Sequence, residues 1–209
     1  MGMATEIDPR DTDRAAAFAL WMNAPNPMVT LIKTVDVTHL IRVGKKRRLK
    51  FNLLLDYCVG KAASGVKEFY TLPVDGRLLR YDALAVNTIV RNRNGGINSC
   101  DILYTPELDA FCREYLRETA RAAEECRDRD LSADCMVIGT SALVETELDG
   151  AVGMYSGIFN NPFLIWGKYR RTLFRCELPI SFQFHHTQMD GAHAAEFLNN
   201  LQNAVNELD

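Results

Sequence analysis

Several things are missing from this chain of 209 residues, and each absence narrows what it can be. No apolar run approaches the ~20 residues that a membrane-spanning helix needs, so no membrane partner is expected. The segment Met1 to Arg14 is polar and mixed in charge, unlike a signal peptide, and the expected location is the cytoplasm. Positive charge is not in excess: 24 lysines and arginines face 27 acidic residues, for a net charge of −3. The sequence pI is about 5.8, which argues against a nucleic-acid partner. No two of the six cysteines have CxxC spacing, and no Cys/His cluster matches a zinc site, so no metal is expected. In a cytoplasmic chain Cys58, Cys100, Cys112, Cys126, Cys135 and Cys176 are expected to be reduced, mostly structural thiols. There is no internal repeat, low-complexity tract or Pro/Gly-rich linker. A single domain over 1–209 is therefore expected.

What is present is ordinary for a globular protein: 47% hydrophobic and 24% charged residues. The patterning predicts an α+β fold, a mixed sheet with helices packed on one side. A first helix is expected from about Asp13 to Met22, with Thr12 as its cap and Pro25 and Pro27 beyond it. Met28 to Val37 is rich in β-branched residues and reads as a strand. The basic run Lys45 to Arg48 reads as a charged turn, with attraction of phosphates as the other reading. It lacks the interleaved aromatics of a nucleic-acid groove. Asn52 is expected to cap a helix ending near Gly65, and Asp75-Gly76 to turn a hairpin between Phe69 and Asp82. Leu84 to Arg91 follows as a strand. Gly95-Gly96 marks a loop without a phosphate-cradle pattern. Thr105-Pro106 should open the longest helix. Asp134 to Thr140, Pro162 to Tyr169 and Thr172 to Phe184 are strand candidates. A last helix begins near Gly191, with Phe197, Leu198, Leu201, Val205 and Leu208 on its apolar side.

Three of the four histidines fall in one stretch, His185-His186-Thr187-Gln188-Met189-Asp190-Gly191-Ala192-His193, between the last strand and the last helix. In that strand Leu178, Ile180, Phe182 and Phe184 face one way, and Pro179, Ser181 and Gln183 the other. Continued, the alternation sends His186 to the apolar face and His185 to the polar one. An imidazole among apolar neighbours stays neutral, as a general base must at neutral pH. Spacing alone leaves two readings of His186, a hydrogen-bonded core residue or a base. A metal site from His185, Asp190 and His193 is disfavoured, because adjacent strand residues point to opposite faces. Asp190 stands where a helix N-terminus favours a carboxylate.

The string HHxxxDG near the C-terminus of a chain this long resembles the active-site motif of chloramphenicol acetyltransferases. Its HxxxDG core also occurs in dihydrolipoyl, carnitine and plant acyltransferases and in peptide-synthetase condensation domains, most of them longer chains. Further segments are similar to that family in the expected order: Arg14 with Phe18, Lys50-Phe51, Val74-Asp75-Gly76-Arg77-Leu78, Thr140-Ser141-Ala142, and Pro162 with Gly167-Lys168-Tyr169. The resemblance implies a two-layer sandwich and transfer of acetyl from acetyl-CoA to a hydroxyl of chloramphenicol in a ternary complex. It implies a homotrimer with active sites between subunits. His186 would be the base, held in its tautomer by its own backbone carbonyl. Ser141 would donate to the oxyanion, its other reading being a plain strand serine. Asp190 would pair with Arg14. Lys50, Lys168 and Tyr169 would flank CoA, the lysines otherwise being solvated surface residues.

The acceptor pocket departs from the family. Trp21 stands near an expected tyrosine and Pro27 near an expected cysteine. Ile97 replaces a pocket phenylalanine, Ile165 a water-holding threonine, and Glu145 an aromatic that flanks CoA. Glu145 to Gly157 aligns poorly. Two other functions therefore stay open: an acyltransferase on the same scaffold for a different alcohol or amine, and a catalytically silent binding protein.

Overall fold

The structure is a computed structural model that describes residues 4–153, 155 and 157–209. In chain order its elements are β1 (Thr5–Ile7), α1 (Ala15–Trp21), β2 (Met28–Asp36), α2 (Thr38–Arg47), α3 (Phe51–Ser64), β3 (Thr71–Val74), β4 (Arg77–Arg80), β5 (Leu84–Arg91), β6 (Ile97–Leu103), α4 (Leu108–Glu125), β7 (Met136–Ala142), β8 (Phe163–Trp166), β9 (Arg170–Arg171), β10 (Cys176–His185) and α5 (Gly191–Asn206). The main sheet runs β2-β10-β8-β7-β5-β6, with β9 beside β10, and a small sheet runs β1-β4-β3. β7 is parallel to both β8 and β5, and the other pairs are antiparallel. The architecture is α+β with a mixed sheet.

One face of the sheet is apolar because of β10. Leu178, Ile180, Phe182 and Phe184 are each fully buried. Phe197 of α5 lies 4.6 Å from Phe182 and 4.8 Å from Phe69, ring to ring. Burying a side chain of this size contributes roughly 1.5–3 kcal/mol. α3 is buried on nearly every side, with Leu53, Leu54, Leu55, Cys58 and Val59 at zero exposure. Such an all-apolar helix belongs inside, between sheet and outer helices.

The opposite face of β10 was expected to be polar and open. It is covered instead. The crossover from β7 to β8 lays residues 150–153 over it: Ala151 N–H donates to Ser181 Oγ at 2.7 Å, and Gln183 Nε2 donates to Gly153 O at 2.8 Å. Gly150 is needed there, since a Cβ would sit 2.4 Å from the Ile32 Cδ1.

Several boundaries differ from the sequence expectation. Lys45, Lys46 and Arg47 form the last turn of a helix, α2, and Arg48 closes it in the left-handed conformation. Cations there complement the helix dipole. Asn52 does not cap α3; Lys50 occupies the cap, and Asn52 Oδ1 accepts from Trp166 Nε1 at 3.4 Å. Thr12 lies two residues before the cap of α1, which is Arg14; its Oγ1 accepts the Arg14 N–H. α4 starts at Leu108 with Glu107 as its cap, two residues later than the expected start at Pro106 with Thr105 as cap, and Tyr57 Oη donates to the Pro106 carbonyl at 2.6 Å. β6, to which the sequence reading assigned no element, is a strand whose Asn98, Ser99 and Asp101 bond across to Asn92, Asn87 and Asp128.

Candidate active site

The histidine turn is built by the end of β10 and the start of α5. β10 ends at His185, so His186 leaves the sheet instead of continuing its apolar face. His186 N–H donates to Pro27 O at 2.8 Å, which fastens the turn to the chain entering β2. Arg14, with little exposure, reaches it from the start of α1. Its Nη2 donates to His186 O at 2.7 Å, its Nε to Thr187 O at 3.2 Å, and its Nη1 pairs with Asp190 Oδ2 at 3.0 Å. One guanidinium thus fixes two carbonyls and a carboxylate. Asp190 caps α5 through Oδ1, which accepts from Ala192 N at 2.9 Å and His193 N at 3.4 Å. Burial works to raise its pKa, but these amides, His193 and Arg14 outweigh that and leave the pKa lowered.

The His186 ring stacks on Trp21, centroids 4.6 Å apart and planes within 3°. Its Nδ1 is buried and makes no hydrogen bond among the described residues. The expected bond from the ring to its own carbonyl is absent among the described residues; Arg14 donates to that carbonyl, and the ring lies flat on the indole. His185 is fully buried. Its Nδ1 accepts the Thr187 N–H at 3.1 Å, and burial with the neighbouring His186 pushes its pKa down to about 4. It is a neutral structural imidazole. Among the described residues no group of three or more His, Cys, Asp or Glu side chains is placed to hold a metal ion.

A second feature lies across the molecule. Lys50, Phe51, Lys168 and Tyr169 line one cleft of 630 Å³ with Arg91, Tyr115 and Val144. Phe51 and Tyr169 pack at 5.3 Å, and the Arg171 guanidinium lies 5.6 Å from the Tyr169 ring centre. Two exposed ammonium groups beside aromatic faces make a site for a long, multiply anionic ligand. Arg91, Tyr115 and Val144 were missed in the sequence, since nothing in their spacing ties them to Lys50.

Ser141 sits on β7 in register with Ile165 of β8, which pairs with Ser181 of β10. Strand spacings put Ser141 and His185, the last residue of β10, about 16 Å apart in one chain, two strands across and four residues along. Pro27 and Trp21 flank His186. Ile165 stands beside Ser141. Ile97 opens the edge strand β6 and is 70% exposed, five strands from β2. Glu145 is exposed in the crossover. Within one chain the histidine turn thus lies apart from Ser141.

The comparisons with known proteins agree over almost the whole chain. The family described as Chloramphenicol acetyltransferase matches residues 3–202. Chloramphenicol acetyltransferase 2 of Escherichia coli is 28% identical over 204 residues, 95% of each chain. A chloramphenicol acetyltransferase of Clostridium perfringens is 24% identical over 204 residues, 94% of this chain and 92% of that one. A solved chloramphenicol acetyltransferase superposes with a TM-score of 0.84 at 24% identity, covering 97% of this chain and all of the other. The cubic core of the pyruvate dehydrogenase multienzyme complex has the same fold at 17% identity, with a TM-score of 0.69 over 100% of this chain and 91% of that one. The turn that Arg14 grips carries the HHxxxDG string of that family, and the chain belongs to the chloramphenicol acetyltransferase family.

Proposed function

We propose that this chain is a cytoplasmic, homotrimeric acetyltransferase that moves acetyl from acetyl-CoA to a hydroxyl of chloramphenicol and so confers resistance to it. The observation that carries the reading is the His186 turn. An imidazole stacked on Trp21 is held by a guanidinium that bonds its own carbonyl, the next carbonyl and Asp190. That rigidity suits a base that must meet one proton in one geometry.

In the proposed reaction His186 Nε2 takes the acceptor hydroxyl proton while the oxygen attacks the thioester carbonyl carbon. Ser141 Oγ donates to the oxyanion of the tetrahedral intermediate. Collapse breaks the carbon–sulfur bond, and the CoA thiolate leaves with the proton from the imidazolium. No acetyl-enzyme forms. The cleft suits CoA: Lys50 and Lys168 would meet its phosphates, with Tyr169 alongside. A trimer is supported by two facts. His186 and Ser141 are too far apart in one chain to share an intermediate. Leu20, Ile32, Val152, Ile158 and Phe159 are each more than half exposed, more apolar surface than a monomer needs.

The second reading is an acyltransferase for a different alcohol or amine. Ile165, Pro27 and Ile97 favour it, for they replace polar or aromatic pocket residues with aliphatic ones. The test is CoA thiol release from acetyl-CoA, with and without chloramphenicol, for wild type and His186→Ala. Chloramphenicol-dependent release that falls by about 10²–10⁴ in the variant is expected. Silence in a wild type that binds CoA moves the assignment to another acceptor. A protein that binds no CoA is a scaffold, and gel filtration as a monomer refutes the shared site.

A further inference from the structure

Glu68 plays no part in the reaction as described, yet it is one of the least comfortable groups in the chain. It lies in the short 3-10 turn Lys67–Tyr70 and is 4% exposed. Its Oε1 has no hydrogen bond of good geometry. A buried carboxylate needs a compensating donor or it costs several kcal/mol. Two nitrogen donors are within reach. Lys67 Nζ is 3.7 Å from Oε1, but it is exposed and already engaged by Asp13 at 2.5 Å. His193 Nε2 is closer, at 3.3 Å.

His193 is the third residue of α5, and its other nitrogen faces the reactive turn. Nδ1 lies 3.3 Å from the Asp190 amide and 3.1 Å from Asp190 Oδ1. If Nε2 gives its proton to Glu68, the ring has one allowed orientation, with Nδ1 against Asp190. Asp190 then presents Oδ2 to Arg14, and Arg14 holds His186 O. Four contacts lead from Glu68 to the backbone of the reactive histidine. The charged groups around His193 are Glu68 and Lys67 from the 3-10 turn, Asp190 and Arg14 from the clamp, and Asp13 from the segment before α1.

We propose that Glu68 is a positioning residue for acetyl transfer, acting through His193 and Asp190 on the geometry of His186. This rests on His186 being the base. Neighbouring links in such a path must be non-additive in kcat, and the His186 signals separate that from an effect on folding.

The test uses full-length Glu68→Gln, His193→Ala and the double variant. Glu68→Gln keeps size and shape and removes the negative charge that faces His193 Nε2 at 3.3 Å. Each single variant is expected to lower kcat by about threefold to tenfold, the scale of one polar contact, with KM for both substrates unchanged. The double variant should be no slower than His193→Ala alone. The His186 imidazole nitrogen shifts, followed by NMR in the same proteins, should move in Glu68→Gln although Glu68 does not touch that ring. Those shifts report the coupling whether or not any acceptor is turned over, so an error in the acceptor assignment leaves the test intact. Unchanged kcat in a folded Glu68→Gln, losses that multiply in the double variant, or unmoved His186 shifts would each overturn the proposal.

Discussion

The histidine turn and the cleft are built in opposite ways. In the turn the backbone is tied at many points. His186 N–H goes to Pro27, Arg14 takes two carbonyls, and His185 O accepts from Gln188 and Met189. Gln188 Nε2 reaches over to Thr71 O at 2.6 Å, and Thr187, Gln188 and Met189 have no exposure. In the cleft Lys50 and Lys168 are long, exposed and without an ion-pair partner among the described residues. The difference suits the tasks proposed for the two regions. A base loses its advantage when its ring is misplaced by an ångström. A phosphate site works through a field that falls off slowly, so flexible cations serve it.

This contrast can be broken in order of expected effect. Ser141→Ala removes a preorganised donor and should lower kcat by about 10²–10³ with little change in KM; an unaltered kcat would make Ser141 a plain strand serine. Arg14→Ala removes three bonds from the turn. It should cost about 1–3 kcal/mol of stability by denaturant titration, less than a fully buried pair because Asp190 is partly solvated. Replacing Lys50 and Lys168 together by alanine should leave Tm and kcat alone and raise KM for acetyl-CoA by about tenfold, the difference shrinking in high salt. A loss of kcat there would mean that the cleft too is rigid.

The smallest effect is a pH slope. His185 refuses in the folded state a proton that it takes at about 6.5 when unfolded. Acid therefore favours unfolding. Its contribution is fully present above pH 6.5 and falls by up to about 1.4 kcal/mol per pH unit between 6.5 and 4. His185→Asn should flatten stability against pH in that window, and an unchanged slope would show that His185 titrates normally.

Much of this was legible along the chain because it is local. β2 follows from a β-branched run. The hairpin follows from Asp75-Gly76, both with positive φ. The apolar stripe of α5 follows from spacing. α2 was hidden because the run Lys45 to Arg48 reads as a charged turn, while only Leu40 and Val43 mark the buried side of the helix. β6 was hidden because its Asn98, Ser99 and Asp101 look like loop residues until a partner strand satisfies them.

By itself the order of residues determined the elements with a strong period, the neutral charge balance, and the HHxxxDG string with Arg14, Ser141 and the two lysines as its companions. Tertiary structure alone decided that β10 ends at His185 and turns His186 out of the sheet. It also decided that the His186 ring lies flat on Trp21, that the crossover buries the polar face, and that Glu68 meets His193. Those facts depend on residues up to 176 positions apart, as Arg14 and Asp190 are. Periodicity reports only the burial of neighbours along one element, and such distant pairs come together only when the whole core closes.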